Sequence, residues 1–321
     1  MIDEKIASDE LSQITQSSVA IILCTYNGEE YIEQQLESII AQTILNWTIF
    51  ASDDGSTDAT LSILEKYQKI LGSNKLVILK GPKKGFAWNF LSALKYTPES
   101  FQYYAFCDQD DIWLSNKLET GVRCLRQYNA SVPGIHCGRT ALVDENGQRY
   151  GMSYLFERKP SFKNALMQNI AGGNTMLLNH AAKKIVAETP DDCDIISHDW
   201  WVYIVIAGCG GNIIYDPVPT LLYRQHASNV IGSNISFFSK LYRIRRFFSG
   251  DFRIWSDKNL RALQHFETKL TEENRSILTR FSKARNDKLI PRIITFADIG
   301  FYRQTLSGTI ALMLGIIFKK I

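Results

Sequence analysis

Tyr103-Tyr104-Ala105-Phe106-Cys107 is an apolar, aromatic-rich run that stops at Asp108-Gln109-Asp110-Asp111. No other stretch restricts the fold as much. A short run of this kind ahead of polar residues predicts a buried strand, and open α/β sheets bind ligands at the carboxyl ends of their strands. Three acids this close repel one another by an energy on the order of kcal/mol even at a surface-like dielectric, unless a cation lies between them. A hard divalent ion, Mg²⁺ or Mn²⁺, resolves the conflict, because it takes oxygen ligands, keeps several waters and is completed by substrate phosphates. The plainer alternative is an acidic turn capping a helix that begins near Ser115.

The preceding chain repeats the pattern. Residues 19–24 form a β-branched run that empties into Thr25-Tyr26-Asn27-Gly28, and Ile32, Leu36, Ile39 and Ile40 then follow the helical period. A second strand over 47–51 ends in Ser52-Asp53-Asp54-Gly55-Ser56-Thr57-Asp58. A helix, a strand over 76–79 and a third helix opened by Lys83-Lys84-Gly85-Phe86-Ala87-Trp88-Asn89 follow. Such alternation predicts an α/β fold with a mostly parallel, doubly wound sheet. Parallel connection brings the polar ends of the first, second and fourth strands to one edge, so that Thr25-Tyr26-Asn27, Asp53-Asp54 and residues 108–111 share a crevice of the kind that binds nucleotides.

Several function classes lack support. No GxGxxG follows the first strand and no GxxxxGK(S/T) occurs, which removes the main signals of dinucleotide enzymes and P-loop NTPases. A net charge of +3 with no basic recognition motif gives no footprint for nucleic acid. The six cysteines are scattered without a CxxC and read as core residues in a reducing compartment. Acids on a nucleotide-facing edge suit two tasks: accepting from a base imide N–H, assigned to Asp53, and holding a metal on a diphosphate, assigned to Asp110. A turn and helix cap remains the simpler account of Asp53-Asp54-Gly55-Ser56-Thr57-Asp58 taken alone.

In their order, Thr25-Tyr26-Asn27, Ser52-Asp53-Asp54-Gly55-Ser56-Thr57-Asp58, Gly85-Phe86-Ala87-Trp88-Asn89 and Cys107-Asp108-Gln109-Asp110-Asp111-Ile112-Trp113 resemble the motifs of the family 2 nucleotide-sugar glycosyltransferases of the GT-A fold. The DQDDIW form is similar to that of bacterial rhamnosyltransferases of that family, and the resemblance spans about residues 19–230. It implies an inverting, metal-dependent transferase. The expected donor is dTDP-rhamnose, with a UDP-sugar as alternative, and the expected acceptor is a saccharide or lipid-linked saccharide of the cell surface. The donor would be held by Thr25, Tyr26, Asn27, Asp53, Asp54, Lys84, Asn89, Asp108, Gln109 and Arg224. Mn²⁺ or Mg²⁺ would be held by Asp108, Asp110 and His226. The small-residue loop Gly172-Gly173-Asn174 and the indoles of Trp200 and Trp201 would face the acceptor and sugar, beside Asp199 as general base. Outside the resemblance, a helix N-cap is the plainer reading of Asp199, a strand-start bend that of Gly172-Gly173, and a structural role that of a lone His226.

The expected organisation is a loosely ordered leader over 1–17, a catalytic domain over 18–232 that divides into halves near 113, and a helical region over 233–321. In the last, Phe237, Phe238, Phe247 and Phe248 interleave with Lys240, Arg243, Arg245 and Arg246, as an interfacial helix would present them to anionic lipid, the plainer alternative being a helix packed on the catalytic domain with its cations in water. The run 310–318 followed by Lys319-Lys320 is too short to span a bilayer. With no apolar signal core at the N-terminus, the expected location is cytoplasmic, at the cytoplasmic face of the cell membrane. A sugar nucleotidyltransferase, which releases pyrophosphate, and a carbohydrate- or lipid-binding protein without turnover are the competing readings.

Overall fold

The computed structural model describes residues 12–226 and 250–321. Most of the leader expected over 1–17, and the aromatic and basic segment 237–248, lie outside them; Ile14 is buried in the core.

β1 (Val19–Thr25) is buried along its whole length, between β2 (Trp47–Asp53) and β4 (Tyr103–Cys107), both parallel to it. β3 (Leu76–Lys80) extends the sheet beyond β2. Strands covered on both faces read as unbroken apolar runs, which is why 19–24 carries no alternation. The connecting helices are α1 (Ile32–Ile40), α2 (Thr60–Leu71) and α3 (Phe86–Tyr96). α4 (Lys117–Arg126) follows the acidic strand end.

The second half departs from simple alternation. β6 (Gly134–Gly138), β9 (Leu177–Asn179) and β10 (Asn212–Asp216) complete the large sheet in the order β10-β6-β9-β4-β1-β2-β3, with β9 antiparallel between β4 and β6. Residues 134–143 supply two strands: β6 stays in the large sheet, and β7 (Ala141–Val143) leaves it. With β5 (Ile112–Trp113), β8 (Arg149–Met152) and β11 (Leu221–Arg224), β7 forms a separate four-stranded sheet, while β10 (Asn212–Asp216) closes the edge of the large one. The β7–β8 connection turns at Gly147, whose φ of 80° suits glycine. The small sheet matters for function, because β5 continues the acidic segment and β11 pairs with it directly.

α5 (Phe162–Ala165) and α6 (His180–Ala187) lead to α7 (His198–Gly208), all of whose residues are buried. The helical C-terminal region explains that burial. α8 (Asp251–Leu263), α9 (Glu272–Ala284), α10 (Leu289–Ile299) and α11 (Leu306–Ile317) follow. Phe252 and Phe266 pack against Trp200 and Trp201 at ring-centroid distances of 6.3 and 5.6 Å. Phe281, Phe296 and Phe301 form an aromatic knot behind them. Each buried large apolar side chain stabilises by roughly 1.5–3 kcal/mol, so the extension is part of the same core as the sheet.

Candidate active site

The tips of β1 and β2 are built as one unit. Thr25 Oγ1 donates to Asp53 Oδ2 at 2.9 Å, and Asp53 Oδ1 accepts from the N–H groups of Gly55 and Ser56. Asn27 adopts φ 47°, and its side-chain oxygen accepts from Thr57 N at 2.8 Å. Asp54 accepts from the backbone N–H of Lys83 and Gly85, so it fastens the loop before α3. Asp53 is only 5% exposed and spends its acceptor capacity on its own turn. A nucleobase would have to compete for it. Asn89, expected at the donor, is buried against Ser52, accepting from its hydroxyl and donating to its carbonyl. Tyr26 and Lys84 are exposed beside the cleft edge. Gln109 grips Tyr26 by both backbone groups, at 2.9 and 3.1 Å, and so joins the β1 and β4 tips.

Across the cleft, His226 Nε2 lies 2.9 Å from Asp110 Oδ2 although 116 residues separate them. Arg224 brings them together. Its Nε donates to the Asp110 carbonyl and its Nη1 to that of Glu145, its Nη2 reaches Gln34, and Tyr31 lies under the guanidinium at 4.6 Å. The Tyr31 ring also meets His226, with centroids 4.9 Å apart. At 2% exposure Arg224 is an internal anchor, which corrects the expectation of a diphosphate contact. Arg224→Ala should therefore cost roughly 3 kcal/mol of stability, as removal of a buried, hydrogen-bonded charge does. Thermal denaturation measures it. An unchanged melting temperature with a raised donor KM would restore the ligand role.

Asp111 is fully buried, accepting from Asn174 Nδ2 at 2.7 Å and from Arg224 N at 3.2 Å. Asn174, expected to face the acceptor, is thus a strut between the acidic turn and the loop before β9. Burial, followed by the Asp110 and Asp199 charges, pushes the Asp108 carboxyl up to about 8; Lys117 opposes this. Burial, followed by the Asp110 and Asp108 charges, holds Asp111 well above the carboxylate range. Lys117 is itself buried, over the Trp113 ring at 4.7 Å, and burial lowers it to about 8. One buried lysine faces three acids. Asp110 and His226 set a carboxylate beside an imidazole, with the Asp110 charge felt at Asp108, and these are donor types that a divalent cation accepts.

Asp199 enters from the first turn of α7. Asn169 Nδ2 donates to its Oδ2 at 2.9 Å, Gly173 N to the same oxygen at 3.3 Å, and Trp200 N to Oδ1 at 2.7 Å. Its charge is felt at Asp108, so the two carboxyls lie on the same side of the molecule's acidic strand ends. Gly173 has no room for a side chain, since a Cβ there would lie 2.4 Å from His198 Nε2. His198 is stacked on Phe90 at 3.9 Å, and burial lowers its pKa to about 4. The two tryptophans turn into the core. Trp200 and Trp201 are 7% and 0% exposed and donate to Ala165 O and Thr189 Oγ1 inside the core.

The strand tips therefore bring together Thr25, Tyr26, Asn27, Asp53, Asp54, Gln109, Asp108, Asp110 and His226, with Asp199 facing them and Gly172 in the loop beside it. Arg224, Asn89, Asn174, Trp200 and Trp201 lie behind this surface. Sequence reading missed Lys117, Tyr31, Gln34 and Asn169. Lys117 had a faint signal, a lone cation at the start of a helix that follows three acids; the others had none.

A mostly parallel sheet with acids at its central strand tips, closed by a small second sheet, is the architecture of a GT-A glycosyltransferase. The same fold is seen in S. aureus TarS 1–349 in complex with UDP, with a TM-score of 0.52 at 16% identity over 88% of this chain and 90% of that one. It is also seen in the Pyrobaculum calidifontis mannosyltransferase PcManGT in complex with GDP-Man and Mn²⁺, with a TM-score of 0.52 at 16% identity over 95% and 86% of the two chains. The sequence profile of glycosyl transferase family 2 matches residues 20–186, and the chain belongs to that family. It is 35% identical to the dTDP-rhamnosyl transferase RfbG of Shigella flexneri over 69% of this chain and 78% of the relative. It is 36% identical to the E. coli β-1,3-glucosyltransferase WfgD over 35% of this chain and 43% of that protein.

Proposed function

We propose that this glycosyltransferase moves L-rhamnose from dTDP-rhamnose, with inversion, to a saccharide or lipid-linked saccharide acceptor at the cytoplasmic face of the membrane. The observation that supports the reading is the 2.9 Å approach of His226 to Asp110, which sets an imidazole beside a carboxylate from a distant part of the chain. Asp108, Asp110 and His226 would hold Mn²⁺ or Mg²⁺, which when bound neutralises charge developing on the departing diphosphate. The turns of Thr25-Tyr26-Asn27 and Asp53-Asp54 would frame the nucleotide, with Tyr26 and Lys84 exposed at its rim. Asp199 would take the acceptor hydroxyl's proton as that oxygen attacks the anomeric carbon from the face opposite the diphosphate. Similarity to RfbG over most of both chains supports the rhamnose donor.

The test is release of nucleoside diphosphate from a panel of sugar nucleotides with and without Mn²⁺, combined with the anomeric configuration of the product by NMR. dTDP-rhamnose should be consumed fastest, with release of dTDP and no pyrophosphate. Preference for UDP-glucose would favour the second reading, a glucosyltransferase, which the likeness to WfgD over 35% of this chain supports. Pyrophosphate release, or retention of configuration, would remove the proposal.

A further inference from the structure

The outer surface of the C-terminal bundle changes character between neighbouring helices. α9 is an ordinary amphipathic helix, with Glu272, Glu273, Ser276, Thr279, Ser282 and Lys283 exposed. α10 and α11 also bury an inner face, through Phe296, Ile299, Leu312 and Ile316, but turn a second apolar face to solvent. On α10 this face holds Ile290 and Ile294, 70% and 62% exposed; on α11 it holds Leu306, Ile310 and Leu314, continued by Phe318, at 79%, 54%, 39% and 58%. A spacing of four residues puts each set on one side of its helix. Contiguous exposed apolar surface of this kind marks a docking site.

The charges around the face select the occupant. Arg292 donates to the Ile317 carbonyl at 3.0 Å, so the start of α10 lies beside the end of α11. Exposed Lys288 and Lys319, with Lys320, therefore collect at that end. The row of Ile290 and Ile294 ends at Asp298, which is paired with Arg280, the α11 row holds no acid, and at the lysine end Asp287 is the one acid against three lysines. A protein partner would need matching acids around an apolar centre, whereas an anionic leaflet supplies both at once. Helices of 11 and 12 residues are too short to cross a bilayer, and among the described residues no helix is long and apolar enough to do so.

We propose that α10 and α11 dock flat on an anionic lipid leaflet, inserting Ile290, Ile294, Ile310 and Leu314 while the lysines engage headgroups; this rests on the reading of a membrane-bound acceptor and gives that reading a surface. Sedimentation of the full chain, without donor or metal, with phosphatidylcholine vesicles that contain or lack phosphatidylglycerol tests it. Wild type should bind the anionic vesicles, more weakly at high salt. The variant Ile290→Ser/Ile294→Ser/Ile310→Ser/Leu314→Ser should partition at least ~10-fold less. Lys288→Glu/Lys319→Glu/Lys320→Glu should lose the preference for phosphatidylglycerol, at about fivefold per lysine.

Wild type that stays in the aqueous phase with both vesicles would overturn the proposal, as would a serine variant that binds like wild type. A wild-type dimer in light scattering that the serine variant dissolves would also overturn it, because a second copy would then cover the face. dTDP release without vesicles is read separately. The docking variants should keep it, and its absence in wild type would defeat the proposed activity while leaving lipid binding intact.

Discussion

Asp199→Asn should lower turnover by at least ~10²-fold, the usual scale for loss of a general base, with donor affinity nearly unchanged. The substitution also has a structural cost that must be separated from the chemical one. Both Asp199 oxygens accept hydrogen bonds, Oδ2 from Asn169 and Gly173 and Oδ1 from Trp200. An amide must turn its NH₂ towards one of these donors, which costs roughly 1–3 kcal/mol. A modest fall in melting temperature is therefore expected alongside a fall in kcat, with nucleotide binding preserved by calorimetry. Wild-type kcat in the variant would remove Asp199 from the reaction; loss of nucleotide binding would mean that its contact with Gly173 shapes the donor site.

Asp110→Ala should abolish the metal-dependent part of donor binding. It removes one proposed ligand and the partner of another, His226, and should weaken Mn²⁺ by at least ~10-fold, the lower end of what loss of a mere supporting contact costs a metal site. Calorimetry of dTDP binding with and without Mn²⁺ measures this, and equal affinity in wild type under both conditions would sink the metal assignment. The pH dependence has a definite sign. The Asp108 carboxyl is raised to about 8, so near neutral pH the metal-free cluster keeps a proton that the cation must displace. Metal affinity should rise with pH up to about 8. The raised carboxyl contributes stability to the metal-free fold below the ordinary carboxylate range, and this is lost as pH climbs through about 8. Mn²⁺ should accordingly raise the melting temperature more at pH 8 than at pH 6.

Residues whose role depends on the chain's path were legible only where parallel connection dictates that path. Thr25, Asp53 and Asp108 each end a strand entered from the same side, and β1 pairs with both neighbours in the expected direction. Trp200 and Trp201 were misplaced because α7 is apolar on all sides, and a helix without a polar face carries no periodic signal of which side meets ligand. Arg224 was misplaced because a guanidinium suits a phosphate and a set of carbonyls equally well, and only the return of β11 beside β5 supplies the carbonyls. Asn89 and Asn174 failed similarly, since an amide next to a motif does not declare whether it points into the cleft or behind it.

By itself the sequence determined the strand and helix alternation, the crevice edge and the acids along it, because these follow from local periodicity and from the handedness of parallel crossovers. Only the tertiary structure decided which polar groups are left for a ligand. That choice depends on which donors meet which acceptors across more than a hundred residues, as when Arg224 and His226 come back to Asp110. A buried polar group takes whatever partner the fold brings to it, and no local pattern encodes that partner.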